Sequence, residues 1–439
     1  MESSTDTENV IDNSELDYIV SNLKVSKLEQ IGTLDWFENV DKISKLYRVA
    51  ATEALLNNPD EEWVKVAFKT HSKLDCAVRE LIAICTWKEY VLEKLLKMKP
   101  EPKTSFPSYI IVFYEVMIHG IVQSLIYHGD AFNYLEETCD DLVEYCVLRV
   151  RQLVNRKKFM VEKREQKATK EPLDEIKCQR EHIDFGIGSQ CIATLRHVCE
   201  NLDCLPLSVT TRIYTTHDLP VLVAQLLHQD VWTNKEGGKI YKFVESDWQP
   251  VRADDLPLSK MECQIWLLLR ELLLNQATKS YHYSDYRKEQ LTLLLRHLND
   301  NVIDQLSVLA DLQRTLHMLH VRPPGEGDKA VFNPLIVEVN SLYQEQLLNK
   351  YRGKWGKLAT SCFPLLFQPD EQETVALARA FSASVQFLMD MSENMNSCSY
   401  CMKKATKRCS KCKTTWYCSR SCQVQHWKLH QHSCSSKNN

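Results

Sequence analysis

Apolar residues recur along most of this chain every three or four positions, the period of a helix with one face turned inward. Between Asp35 and Leu56 the repeating positions are Val40, Ile43, Leu46 and Tyr47; between Lys73 and Met98 they are Leu74, Val78, Leu81, Ile82 and Cys85. Ser105-Phe106-Pro107 opens a further helix, with proline in the first turn, where its missing N–H costs nothing. Asp140 to Val154 carries Leu142, Tyr145, Cys146 and Val150 on one face, and Ile187 to Val198 and Leu219 to Leu227 are apolar-rich. Trp266, Leu267, Leu268, Leu269, Leu272, Leu273 and Leu274 form a face broad enough to pack on more than one side. A last helix is predicted from Glu371 to Asn394. Pro369 precedes it, Asp370 and Glu373 form a capping-box-like pair, and Val375, Leu377, Ala378 and Phe381 give it a face to bury.

Three stretches break the helical period. Gly237 to Val244 and Trp248 to Val251 alternate like a small hairpin. Asn155 to Pro172 is mostly charged and reads as an exposed connector, a solvated face in preference to a nuclear signal. Arg322 to Asp328 (RPPGEGD) is a loop whose glycines lack the following Gly-Lys-Ser/Thr of a phosphate-binding loop. The pattern predicts an all-α fold, an armadillo-like helical array with one short β-hairpin, although no repeat of fixed length is present. An irregular helical bundle is the alternative. The expected divisions are an N-terminal helical region at 1–157, a charged connector at 158–175, a second helical region at 176–395, a small cysteine-rich domain at 396–434 and a tail at 435–439.

Composition sharpens this. Only 11 glycines and 14 prolines in 439 residues favour long helices over many turns. The acidic, polar N-terminus is unlike a signal peptide, which predicts a chain that is not secreted. The longest apolar stretch, Tyr109 to Tyr127, contains Glu115, His119, Gly120 and Gln123 and reads as a core helix, not a membrane span. Of the 17 cysteines, ten, including Cys76, Cys85, Cys199 and Cys263, are scattered through helical stretches as free thiols. Net charge is −4, but nine of the 54 Lys/Arg and none of the 58 Asp/Glu lie from Cys398 onward, so residues 1–397 carry −13. A basic end on an acidic body suits an acidic peptide or nucleic acid; no base-reading helix is evident, so nucleic acid is not the expected partner.

The remaining seven cysteines are concentrated in the last forty-odd residues. Cys398, Cys401, Cys409, Cys412, Cys418, Cys422, His430 and Cys434 have metal-ligand chemistry at metal-ligand spacing. Thiolate and imidazole are zinc donors, and eight of them suit two closed tetrahedral sites with no open position for a catalytic water. Two are C-x-x-C knuckles; Cys418 and Cys422, like His430 and Cys434, are four apart and share a helical face. Spacing alone leaves open whether neighbouring or alternate pairs share an ion. His426 and His432 are competing histidines close by. No G-x-S-x-G, H-E-x-x-H, dinucleotide glycine fingerprint or P-loop is present, and the chain is not expected to be an enzyme.

The C-terminal series resembles the MYND finger, whose pairs cross. The resemblance implies one zinc on Cys398, Cys401, Cys418 and Cys422 and a second on Cys409, Cys412, His430 and Cys434. The MYND pattern Trp-x-x-His before the final cysteine selects His430, after Trp427, over His426 and His432. Gln423 and Trp427 stand at positions that line a groove for proline-containing peptides in MYND fingers; the alternative for Trp427 is packing between the zincs. Trp416 and Tyr417 are expected as supports. MYND fingers also occur in lysine methyltransferases, but no SET-type cofactor motif is present. Beyond the finger, THDLPVLVAQLL from Thr216, W-x-x-x-E-G-G-K from Trp232 to Lys239 and R-G-K-W from Arg352 to Trp355 are similar to the MYND-type zinc finger proteins of the axonemal dynein arm preassembly family. This implies a cytoplasmic, non-enzymatic adaptor near the ciliary base. The implied partners are a leucine-rich-repeat dynein assembly factor, heat-shock chaperones and dynein heavy and intermediate chains. The alternative is a nuclear MYND adaptor that recruits co-repressors.

Overall fold

A computed structural model describes residues 12–56, 62–127, 129–135, 138–156, 171–244, 247–251, 257–275, 281–321, 342–375, 377, 405, 407–409 and 416–433. The chain divides into two compact units, Ile11–Asp370 and a smaller one formed by Glu371–Asn439 with Met1–Val10.

The larger unit is helical. Its chief helices are α1 (Asn13–Ser21), α2 (Leu34–Leu56), α3 (Trp63–Thr70), α4 (Leu74–Trp87), α5 (Phe106–Ile126), α6 (Cys139–Val154), α7 (Pro172–Glu200) and α8 (Leu219–Gln229). After a small sheet follow α9 (Lys260–Leu274), α10 (Asp285–Thr292), α11 (Ala310–Val321), α12 (Tyr343–Lys350) and α13 (Trp355–Phe367). At the centre α5 packs against α2, α4 and α7, and α7 packs in turn against α6 and α9. Helical residues on both sides of the expected connector thus share one core. The helix α7 starts at Pro172, inside the stretch expected to be connector, while 157–170 lie outside the described residues.

Close approach of these helices depends on two glycines. A Cβ on Gly120 of α5 would lie 2.4 Å from the Tyr47 ring on α2, and one on Gly188 of α7 would lie 2.7 Å from Leu153 on α6. Helix α5 is long and apolar enough to cross a membrane by length and composition alone, but two-thirds of its apolar window is buried among neighbouring helices. It buries Glu115 and His119 as well as aliphatic residues.

The segment Lys73–Met98, read as one helix, is interrupted. Helix α4 gives way at Lys88–Leu92 to a single π turn before Glu93–Leu95 resumes. Such turns re-aim side chains within a helix. Here Lys88 is only 1% exposed, and its Nζ donates to Glu115 at 2.6 Å and to Asp184 at 2.7 Å. Arg149 and the Tyr145 hydroxyl also donate to Glu115, so this buried carboxylate ties α6 to α5, and Lys88 links it to Asp184 on α7. Burial pushes the Glu115 carboxyl up, but Arg149 and Lys88 more than offset this and hold it below its ordinary range. Asp184 is held at about 2: burial raises it, and Lys88, Arg149 and Arg180 outweigh that.

The expected hairpin is a three-stranded antiparallel sheet, β1 (Thr233–Glu236), β2 (Lys239–Val244) and β3 (Asp247–Val251), in the order β1-β2-β3. The correction concerns Gly237-Gly238. They do not begin a strand but form the turn between β1 and β2, with φ of +57° and +77°, which suits the tight hairpin turns that glycine permits. The strand Thr-Asn-Lys-Glu was missed because it has no apolar alternation; it is held by pairing Asn234 with Tyr241 and Glu236 with Lys239. Phe243 and Trp248, opposite each other across β2 and β3, pack their rings on Phe185 of α7 at 4.5 and 5.0 Å.

The Arg322–Asp328 loop lies outside the described residues. Of the predicted helix Glu371–Asn394, residues 371–375 are helical and most of the rest is likewise not described.

Candidate metal centre and peptide-facing helix

Among the described residues, the smaller unit has a small buried core. Strands β4 (Lys407–Arg408) and β5 (Trp416–Tyr417) pair antiparallel, Lys407 with Tyr417 and Arg408 with Trp416. Ala405, Cys409 and Tyr417 are buried together, and Trp416, Cys418 and Cys422 pack against them. Tyr417 therefore belongs to this small core, in keeping with the supporting role expected of it.

Helix α14 (Arg420–Ser433) follows at once. Ser419 caps it: its Oγ accepts the Cys422 N–H at 3.2 Å. This cap places Cys422 in the first turn and Cys418 just ahead of it, so both sulfurs sit at the positive end of the helix, where thiolates are favoured. Their Sγ atoms are 3.5 Å apart. Two thiolates on one tetrahedral zinc, at about 2.3 Å each, stand about 3.8 Å apart, so this pair fits a shared ion with little adjustment. The Ser-x-x-Cys spacing is the sequence signal of this helix start.

Of the other expected ligands, Cys409 is 1% exposed in the core just described. His430 lies within α14, but its side chain, with Cys398, Cys401, Cys412 and Cys434, lies outside the described residues. The competing histidine His426 is engaged elsewhere: its Nδ1 is 3.0 Å from the Tyr417 hydroxyl, and the two rings are 5.8 Å apart.

The outward side of α14 carries the two residues expected to face a peptide. Gln423 is half-buried; Trp427, one turn on, is 38% exposed, so it does not pack wholly into the small core. Val424, 65% exposed beside them, was not anticipated and extends the apolar surface. An exposed indole, a valine and an amide together offer apolar contact and hydrogen bonding to an extended peptide.

The large unit shows why the other cysteines are not a disulfide framework. Cys85, Cys139, Cys146, Cys191, Cys199 and Cys362 are buried and free, Cys76, Cys178 and Cys263 are partly buried, and Cys204 is exposed. Burial pushes the Cys139 thiol up to about 12 and the Cys76 thiol to about 11, which keeps both protonated.

Residues 398–434 match the family model described as the MYND finger. With the described geometry, this match makes residues 398–434 a MYND zinc finger, a metal-binding module of the kind that serves protein–protein interaction. Over nearly its whole length the chain is also similar to the zinc finger MYND domain-containing protein 10 homolog of Drosophila melanogaster, 28% identical over 454 residues, which is 97% of this chain and 99% of that protein. The resemblance first seen in the helical motifs therefore extends beyond the finger. Shorter matches reach Tudor domain-containing protein 1 of Oryzias latipes, 34% identical over 18% of this chain and 8% of that protein. Ubiquitin carboxyl-terminal hydrolase 16 of Arabidopsis thaliana is 44% identical over 13% of this chain and 6% of that protein. No solved structure matches.

Proposed function

We propose that this chain is a non-enzymatic adaptor in the cytoplasmic preassembly of axonemal dynein arms. The observation that carries this is the end-to-end similarity to a MYND-finger protein, helical body included, which sets the chain apart from proteins that share a short segment with it. In this reading two Zn²⁺ fasten the finger. Cys398, Cys401, Cys418 and Cys422 hold one, and Cys409, Cys412, His430 and Cys434 hold the other. Structural zinc sites of this kind contribute on the order of 10–16 kcal/mol at neutral pH, enough to fold a module whose own core is a few side chains. The folded helix α14 then presents Gln423, Val424 and Trp427 to a partner segment. The partners are a leucine-rich-repeat assembly factor, heat-shock chaperones and dynein chains, met in the cytoplasm near the ciliary base.

Removal of the protein from multiciliated cells tests this. Dynein heavy and intermediate chains should fall in the cytoplasm and be missing from axonemes, and the tagged chain should co-purify with those partners from the cytosolic fraction. Normal dynein arms in its absence, or a nuclear chain bound to co-repressors, would overturn the reading.

A further inference from the structure

The larger unit contains a second group of soft donors, far in sequence from the finger. His119 on α5, Cys146 on α6 and Cys191 on α7 are each fully buried, and their ligand atoms all lie within 4.8 Å of one another. Three different helices deliver them, and α7 packs against both α5 and α6.

The histidine is oriented as a ligand would be. Its Nε2 lies 3.0 Å from the hydroxyl of Thr194, which is also fully buried, and its Nδ1 faces the Cys191 Sγ at 3.8 Å. With Nε2–H donated to Thr194, the Nδ1 lone pair points at the sulfurs. A second partner that fixes the tautomer is the usual support of a metal-bound imidazole. The Tyr145 ring stands edge-on to the imidazole at 5.7 Å and closes one side.

The distances suit one ion. Donors at about 2.3 Å for sulfur and about 2.05 Å for nitrogen stand about 3.6 Å apart around a tetrahedral centre and about 3.8 Å apart around a trigonal one. Charge also fits. Among the described residues, Lys88 and Arg149 pair with Glu115 and Asp184 and not with the thiols. Two thiolates in such a core need a countercharge in their midst, and a divalent ion with a neutral imidazole supplies it.

We propose that His119, Cys146 and Cys191 form a structural metal site that takes a thiophilic closed-shell ion, zinc or cuprous copper, and pins α5, α6 and α7 together. The site is independent of the finger and of the adaptor reading. Both ions share the soft donor chemistry, and elemental analysis distinguishes them.

The test is metal content of the full-length chain purified without chelators, read for zinc and copper by mass spectrometry. Cys191→Ala and His119→Gln should each lose about one ion per chain relative to the parent, and the loss should add to that of Cys422→Ala in the finger. Helical circular dichroism checks that each variant is folded. A folded variant with the parent's full metal content would overturn the site and leave a hydrogen-bonded thiol and imidazole in its place. Should both variants fail to fold, cadmium-113 NMR of the cadmium-loaded parent decides. A resonance of two-sulfur, one-nitrogen type beside those of the finger supports the site; finger resonances alone refute it.

Discussion

Substitution of Glu115 by glutamine tests whether the large unit depends on its buried charges. The glutamine keeps the shape of the side chain but removes the negative charge that Lys88, Arg149 and the Tyr145 hydroxyl all donate to. Lys88 and Arg149 are 1% and 2% exposed, so water cannot replace the lost partner. Asp184 would be left as the main counterion for two cations, with Glu89 3.9 Å from Arg149. Breaking a buried pair from one side costs about 3–5 kcal/mol, because the orphaned charge stays in the core. At about 2.1 cal/mol/K per residue over Ile11–Asp370, that lowers Tm by roughly 4–7 °C. Differential scanning fluorimetry of the parent and the variant measures it. Lys88→Met in the same background removes one cation with the anion and restores the balance, so the double variant should be more stable than the two single losses predict, by about 1–3 kcal/mol. A Glu115→Gln chain within about 1 kcal/mol of the parent, or single effects that merely add, would show that the network does not hold the helices in register.

Cys422→Ala should lose finger zinc while the helical body keeps its thermal transition, whereas His426→Ala should keep it; elemental analysis of both checks the ligand choice. His430→Ala is expected to behave like Cys422→Ala, and full zinc in that variant would move the ligand elsewhere. Trp427→Ala should keep zinc and weaken capture of the leucine-rich-repeat partner by about tenfold or more, as loss of a central aromatic contact does; an unchanged pull-down would remove this face from binding. Glu262 gives a pH signature. Burial pushes its carboxyl up from 4.5 to about 7, with Lys242 only partly offsetting this. Between those values the folded chain holds a proton that the unfolded chain releases, so stability falls as pH rises through the window, by about 3 kcal/mol at most. Glu262→Gln should flatten that part of the stability–pH curve measured by urea unfolding, and an unchanged slope would refute the assignment.

The helices were legible because a buried face repeats in sequence: Val40, Ile43 and Leu46, or Leu268, Leu269 and Leu272, are spaced by the geometry that buries them. The finger was legible because metal sites need particular atoms at particular spacings. What the sequence hid is what depends on partners distant along the chain. Lys88 looks like one more surface lysine until a π turn swings it towards Glu115 and Asp184, 27 and 96 residues away. The strand Thr233–Glu236 has no pattern of its own and exists because β2 pairs with it. His119, Cys146 and Cys191 lie in three separate helices, and no local spacing connects them.

The two units hold their folds by different means, and this determines what each can do. The larger one buries long apolar faces and a neutralised charge cluster, so its helices collapse on hydrophobic burial, and the ion proposed at His119, Cys146 and Cys191 fastens helices already packed. The finger's described buried cluster is Ala405, Cys409 and Tyr417, and a module this short ordinarily needs a metal to hold its fold. Its strands and helix therefore depend on metal, and the side chains freed from core duty can face outward. Trp427 and Val424 are accordingly exposed on α14, although the body exposes such side chains too, Trp63 and Val66 among them. In a module folded by hydrophobic burial, an exposed tryptophan and valine would be removed from the core that stabilises it. In one folded by zinc they remain available to a partner. Chelation should therefore abolish partner capture through the finger and leave the helical circular dichroism of the body nearly unchanged. Capture that survives complete removal of zinc would place the binding surface on the helices of the larger unit instead.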